Sequence, residues 1–456
     1  MTLQAELAAI LEPGRVLTRP LERIAYASDA SFYRLIPQAV VQPVSIEEIR
    51  ALFSFSRGHH IPLTFRAAGT SLSGQAITDG ILVDISNHWD RIRVEADGAR
   101  VRVQPGAIGS WVNAVLKPYH RRMGPDPASI DACMMGGVLA NNASGMCCGV
   151  VENSYHTLDS LTFVLPNGLL VDTATPGAND QILQQAPKVT HGLMDLKHRI
   201  EANPILCERI RAKYRTKNTT GYTLNAFLDF STPADILGHL MIGSEGTLGF
   251  IAEAVLRTFP DYSLKYTGLL FFASVQAAST AILPLKDSGA RALEIMDRAA
   301  LRSVEHQAGA PPALQHIPES AAGLLVEFQC STADELAHFR RQAAKVCETI
   351  PLLGAPAFTE NPVEQATLWK LRKGMFPSIG AMRAQGTTVI IEDVAFPLER
   401  LADAITDLQT LFRQHGYTAD SGQVAHVKRS MPHSRGREDA GQSHCTSAVR
   451  HGPDSA

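Results

Sequence analysis

The chain lacks several features that would narrow its function at once. It has no stretch of about 18 uncharged apolar residues, so no membrane-spanning helix is expected. Its start, Met1-Thr2-Leu3-Gln4-Ala5-Glu6, has neither a basic region nor a long apolar run, so no secretory leader is expected. The seven cysteines include one adjacent pair, Cys147-Cys148, and no Cys-x-x-Cys, which argues against a disulfide framework and against zinc or iron–sulfur ligation. A reduced, cytoplasmic setting is the expectation that follows. No Gly-x-Gly-x-x-Gly follows a strand pattern, and no phosphate-loop motif ending in Gly-Lys-Ser/Thr occurs, which removes most support for nicotinamide and kinase readings. Charge of one sign is also missing: 42 Lys+Arg face 45 Asp+Glu, for a net −3, which leaves no basic footprint for nucleic acid.

What is present is an ordinary globular composition, 45% apolar and 19% charged over 456 residues, enough for two or three domains. Residues 38–42 read as a short strand. Ser45 followed by Glu48 is a capping box opening a helix with Ile46, Ile49, Leu52 and Phe53 on one face and Gly58 at its end. Strands are expected at 61–66, 81–85 and 100–104, and a helix at 107–116. Two strands flank Pro166-Asn167-Gly168 as a hairpin, and helical spacing covers 190–213. After Pro260 the pattern changes to strands at 265–273, 323–329 and 388–394 and helices at 275–290, 333–350 and 398–415. The fold class is α+β, with a domain boundary near 262.

Three clusters of small residues carry the chemistry. The first, Arg66-Ala67-Ala68-Gly69-Thr70-Ser71-Leu72-Ser73-Gly74-Gln75, directly follows a strand. Glycines let backbone N–H groups approach an anion, and hydroxyls add donors, making a nest for phosphate. The competing reading is a Ser/Gly-rich surface turn. The second cluster runs through Gly136-Gly137 to Asn141-Asn142-Ala143-Ser144-Gly145, and the third is Gly243-Ser244-Glu245-Gly246-Thr247-Leu248-Gly249. Three separated clusters suit a ligand with an extended spine, such as a dinucleotide, better than one isolated anion.

These clusters, with Gly124-Pro125-Asp126-Pro127 and Lys217-Asn218-Thr219-Thr220-Gly221-Tyr222 in the same order, resemble the PCMH-type FAD domain of the vanillyl-alcohol oxidase superfamily. Within it the sequence is similar to the FAD-linked D-lactate and D-2-hydroxyglutarate dehydrogenases and the glycolate oxidase FAD subunit, over about residues 20–418. The resemblance implies an N-terminal helical segment (1–35), a two-subdomain FAD-binding domain (36–262) and an α/β substrate domain (263–418). It implies that Arg66, Ala67, Ala68, Gly69, Thr70, Ser71, Leu72, Gly74 and Gln75 wrap the FAD pyrophosphate. Pro125, Asp126, Ser129, Gly136, Gly137, Asn141, Ser144 and Gly145 would line the flavin. Glu245, Gly246, Gly249 and Ile251 would contact its isoalloxazine and adenine sides. Relatives with covalent flavin often carry a His in the first loop. Thr70 and Ser71 stand there instead, so non-covalent FAD is implied, and Cys147-Cys148 read as small buried residues rather than a cysteinyl link.

Oxidation of a 2-hydroxyacid needs a cation for the carboxylate, a base for the hydroxyl proton and an acceptor for the α-hydride, here flavin N5. By resemblance Arg372, in Trp369-Lys370-Leu371-Arg372-Lys373-Gly374, holds the carboxylate; a solvated helix charge is the plain alternative. Arg383 is a second candidate, and Glu392-Asp393 also match a family segment. The family's Gly-His-x-x-x-Gly-Asn-x-His segment has no counterpart after Gly416-Tyr417-Thr418. The last 38 residues contain no Leu, Ile, Phe, Trp or Tyr and hold His426, His433, His444 and His451. Residues 419–456 are therefore expected to be a disordered, non-family tail, from a frame change or a truncation, with the substrate domain incomplete and neither the family's divalent metal nor iron–sulfur clusters expected. Two readings stand: an FAD-dependent 2-hydroxyacid dehydrogenase, or a catalytically impaired flavin-binding remnant. A third, an oxidase of alcohols or cell-wall precursors, fits Arg372 and Lys217–Tyr222 less well. The expected partners are a small 2-hydroxyacid and an electron acceptor (quinone, cytochrome or protein), with a cytoplasmic location or attachment to the inner membrane through a partner.

Overall fold

The computed structural model describes residues 2–145, 147–382, 396, 398–415 and 424–427. Their strands form three sheets. In the first, β2 (Ala39–Val41), β3 (Leu63–Arg66) and β4 (Ile81–Asp84) pair in parallel, and β1 (Val16–Leu17) pairs antiparallel on β2, in the order β1-β2-β4-β3. Helix α1 (Ile46–His59) is the crossover between β2 and β3. Ser45 accepts from the Glu48 N–H at 3.2 Å, as its cap position requires. The Glu48 carboxylate takes the Val44 N–H and Arg15 rather than closing the box on Ser45. The helix passes through Gly58 and stops at His60, which is left-handed at φ 56°. Ile49, Leu52, Phe53 and Phe55 bury against this sheet.

The second sheet is antiparallel: β5 (Ile92–Glu95), β6 (Arg100–Val103), β10 (Phe250–Pro260), β8 (Leu158–Val164) and β9 (Leu170–Asp172), with β7 (Arg121–Met123) also on β10. β8 and β9 form the expected hairpin, and Gly168 takes φ 88° in its turn. Helices α2 (Gly109–Leu116) and α3 (Met135–Ala140) precede β8. The helical run at 190–213 is two helices, α4 (Pro187–Glu201) and α5 (Pro204–Tyr214). Pro204 cannot donate to a continuing helix, and the Asn203 side chain caps the new one through the Leu206 N–H. Helix α6 (Pro233–Met241) leads into the third cluster and β10. Val164, Phe250 and Ala252 also pack into the core of the first sheet, which fastens the two subdomains together.

The chain changes sheets between Pro260 and Leu264. The third sheet, antiparallel throughout, has the order β14-β11-β13-β12-β15: β11 (Leu264–Phe272), β12 (Ala292–Asp297), β13 (Ala322–Cys330), β14 (Phe358–Thr359) and β15 (Val424–Val427). The helix expected at 275–290 is two short ones, Val275–Thr280 and Ile282–Asp287, and β12 is a strand that the sequence reading missed. Helix α7 (Ala333–Cys347) covers one face of the sheet together with α9 (Leu401–Gln414), and α8 (Pro362–Met382) lies on the other. The expected disordered tail meets a difference at β15, whose four residues pair with β12 in an antiparallel ladder. The strand expected at 388–394, Arg383, Glu392-Asp393, 416–418, His433, His444 and His451 lie outside the described residues.

Candidate cofactor and substrate site

The first cluster leaves β3 and returns to β4 as a loop with left-handed glycines, Gly69 at φ 68° and Gly74 at φ 82°. Ser71 bonds Gln75 side chain to side chain and accepts from the Ser73 and Gln75 N–H groups at 3.2 and 3.3 Å. Among the described residues no acceptor meets the N–H groups of residues 68–72. A run of N–H groups without internal acceptors is one feature of an anion-binding nest. Arg66 works from behind this loop: a Cβ on Gly69 would stand 2.6 Å from its Nη2. Its guanidinium donates to the Ser28 carbonyl at 2.9 Å, so that side chain is spent on shaping the loop.

The second cluster is fastened by Asp126, which accepts from the Cys147 N–H at 2.9 Å and the Cys148 N–H at 3.1 Å. Burial lifts the Asp126 pKa, while these amides and Arg122 pull against that shift. Gly145 has no alternative here, because a Cβ would lie 1.8 Å from Asp126 Oδ1. Burial, then the Asp126 charge, pushes the Cys147 thiol well up, so it is held as a neutral thiol with little nucleophilic character. Cys148 is buried and donates to the Gly149 carbonyl. Gly136 is packed against Pro105, whereas Gly137 faces open space.

Asn141 joins the second cluster to the third, donating from Nδ2 to Glu245 Oε1 at 2.7 Å. Glu245 has φ 52°, followed by Gly246 at φ 73°, and burial raises the Glu245 pKa. Tyr222, from the Lys217–Tyr222 segment, shares a hydrogen bond of 2.8 Å with Thr247. These segments therefore form one wall. Gly249 permits the close start of β10, where a Cβ would meet the Val164 carbonyl at 2.5 Å. Ile251 pairs with Phe163 and is buried in the sheet core. The fit of the residues to FAD rests on the first loop's unmatched amides and on the glycines that no side chain could replace.

On the substrate domain, Arg372 stands on α8 and is only 6% exposed, which excludes the solvated-charge alternative. Its Nε and Nη2 both lie 2.9 Å from Oε2 of Glu294, a fully buried residue of β12. Glu294 shares its sheet face with Leu325 and Leu269 in register, and Glu327 shares the same face with Thr267. Glu327 accepts from Thr267 Oγ1 at 2.9 Å, Gln329 Nε2 at 2.6 Å and Trp369 Nε1 at 2.5 Å. Two buried carboxylates thus hold Trp369 and Arg372, one helical turn apart. A further cluster joins the domains: Glu152 pairs with Arg122 at 2.7 Å and with Arg291 at 3.2 Å. Burial opposes the Arg122 charge, but Glu152 and Asp126 more than offset it and its pKa rises. Sequence reading missed Glu152, Arg291, Glu294 and Glu327. Apart from Gln329 beside Glu327, the partners named here lie 30 to 139 positions away, so no local spacing signals them.

The described residues thus build a mostly parallel sheet joined to an antiparallel one, followed by a separate antiparallel sheet on which a buried arginine stands. Residues 37–174 match the FAD binding domain, and residues 263–446 match the C-terminal domain of FAD linked oxidases. That second match runs past 418, where the sequence resemblance ended. The chain is 26% identical over 446 residues to D-2-hydroxyglutarate dehydrogenase of Pantoea ananatis, covering 92% of this chain and 43% of that protein. It is 26% identical over 378 residues to glycolate oxidase subunit GlcD of Escherichia coli K12, covering 81% and 63%. The chain thus spans less than half the length of the D-2-hydroxyglutarate dehydrogenases it matches. An alkyldihydroxyacetonephosphate synthase structure shares the fold, with a TM-score of 0.64 at 15% identity over 92% of this chain and 78% of that one. Among the described residues no helix is long and apolar enough to cross a membrane.

Proposed function

We propose that this chain carries the flavin- and substrate-binding domains of an FAD-dependent 2-hydroxyacid dehydrogenase acting on D-lactate, glycolate or D-2-hydroxyglutarate. The observation that carries the reading is Arg372, a guanidinium buried on the substrate-domain sheet with its plane set by Glu294. FAD, when bound, supplies the two-electron acceptor. The amides of residues 68–72 would receive its pyrophosphate, and the wall made by Asn141, Ser144, Gly145, Glu245 and Gly246 would face the ring system. Binding is non-covalent, in keeping with Thr70 and Ser71 in the first loop and a neutral Cys147. Arg372, held by Glu294, would give the substrate carboxylate its counter-charge, and burial would strengthen that contact. The electron acceptor is a quinone, a cytochrome or a protein, and the location is the cytoplasm or, through a partner, the inner membrane surface.

The second reading, a flavin-binding remnant, is favoured by one observation: residues 419–456 contain no Gly-His-x-x-x-Gly-Asn-x-His. One experiment separates the two. The flavin-loaded protein is mixed anaerobically with D-lactate, glycolate or D-2-hydroxyglutarate. Bleaching of the flavin absorbance by one of them, lost in Arg372→Ala, supports the dehydrogenase. Full flavin occupancy with no bleaching supports the remnant.

A further inference from the structure

Residues 26–34 lie ahead of the matched FAD binding domain, which begins at residue 37, yet their polar groups converge on the first glycine cluster. The Ala30 N–H donates to the Gly69 carbonyl at 3.0 Å. Asp29 accepts from the Ser31 N–H at 2.9 Å with Oδ1 and from the Ala76 N–H at 3.4 Å with Oδ2. From the loop's side, Arg66 donates to the Ser28 and Tyr26 carbonyls at 2.9 and 3.3 Å, and lies 5.6 Å over the Tyr26 ring. The Tyr26 hydroxyl is anchored in turn on Asp84 of β4 at 2.8 Å. Ser28 and Arg34 form an antiparallel bridge, so the segment is a closed strap. The Tyr33 ring rests against Gly74, where a Cβ would come within 3.0 Å. Both ends of the loop, Arg66 and Ala76, are therefore tied to the strap.

The stereochemistry of one peptide makes this more than packing. In a trans peptide the C=O and the following N–H point in opposite directions. The Gly69 carbonyl is drawn to the strap by Ala30, so the Thr70 N–H of the same peptide faces away from it. Thr70 lies in the middle of the amides without internal acceptors. Without the Ala30 contact, the Gly69–Thr70 peptide could rotate and present its carbonyl oxygen to an anion, since glycine opposes such a rotation least.

We propose that the strap at residues 26–34 is a structural half of the FAD phosphate site, with Ala30 and Asp29 as positioning residues that set the direction of the loop's amides and so the affinity for FAD. The inference rests on the FAD reading above. It is tested on the full chain, freed of flavin and titrated with FAD by fluorescence quenching, with melting of the apo-protein followed in parallel. An asparagine at position 29 can accept from only one of the two N–H groups that the carboxylate now serves. Asp29→Asn is expected to raise the FAD Kd about tenfold, and Asp29→Ala further, while the apo-protein melts within about 2 °C of wild type. Should Asp29→Ala impair folding, Asp29→Asn decides, because it removes a single weak contact. A folded Asp29→Asn that binds FAD within about twofold of wild type overturns the strap's role. So does a variant whose only change is a lower apo-protein melting temperature. A wild-type chain that takes up no FAD overturns both the strap and the cofactor reading, whereas unchanged binding in the variant overturns the strap alone.

Discussion

The two halves of this molecule build their sites by opposite means. In the half that matches the FAD binding domain the proposed site is made of backbone amides, beside glycines where a Cβ would meet its neighbours: Gly69 over Arg66, and Gly145 against Asp126. In the C-terminal half the proposed site is made of charged side chains on regular elements, Glu294 on β12 and Arg372 on α8, buried and paired with each other. The first kind of site is written in short contiguous stretches and tolerates almost no added volume. The second kind is assembled from residues far apart in the chain and is sensitive to loss of charge balance.

The largest expected effect is on that buried pair. Glu294→Ala should destabilise the folded chain by roughly 3–5 kcal/mol, because a buried guanidinium loses a carboxylate partner. The double variant Glu294→Met with Arg372→Met should recover most of that loss in urea unfolding. A double variant as unstable as the single one would show that the pair is not what matters there. On the other side of the comparison, Gly145→Ala should cost about 3 kcal/mol, since its Cβ overlaps Asp126. Gly137→Ala, which meets open space, should be nearly neutral. Equal melting temperatures for the two alanine variants would break the claim that the glycines mark close approaches.

A smaller effect is expected at the junction. Arg291→Ala removes one of the two guanidiniums on Glu152 and should cost about 1–2 kcal/mol, read by urea unfolding. The smallest effect concerns pH. Glu245 has a raised pKa from burial, so its ionised form opposes folding: its favourable contribution is present below the unfolded carboxylate pKa and is lost as pH rises through the folded one. Glu245→Gln keeps the acceptor for Asn141 and should melt roughly 2 °C higher at pH 7, with the advantage shrinking toward pH 4. A constant advantage across that range would place its origin elsewhere.

The same contrast explains what was legible in the sequence. The strands at 39–41, 63–66 and 81–84, the helix after Ser45 and the hairpin at Gly168 follow from local periodicity, a cap and a turn residue, and the glycine clusters announce close backbone approach. Gly58 misled, because the helix could continue through it until His60 adopted a left-handed conformation. The strand Ala292–Asp297 was missed because its middle residue, Glu294, is a charged side chain at a fully buried position. Arg372, from another part of the chain, supplies a counter-charge that makes that position acceptable. Likewise Val424–Val427 looks like polar tail until β12 offers it a partner. Arg66 stood in the right motif, but its guanidinium supports the loop from behind, through carbonyls of a strap that carries no glycine cluster of its own.

The account depends above all on the amides of the first loop receiving a dinucleotide. The most direct measurement is equilibrium titration of the folded, flavin-free chain with FAD. Saturable binding of one FAD per chain, abolished by Gly69→Val with the fold retained, is the result expected. A well-folded wild-type chain that binds no FAD at micromolar concentrations would contradict the account.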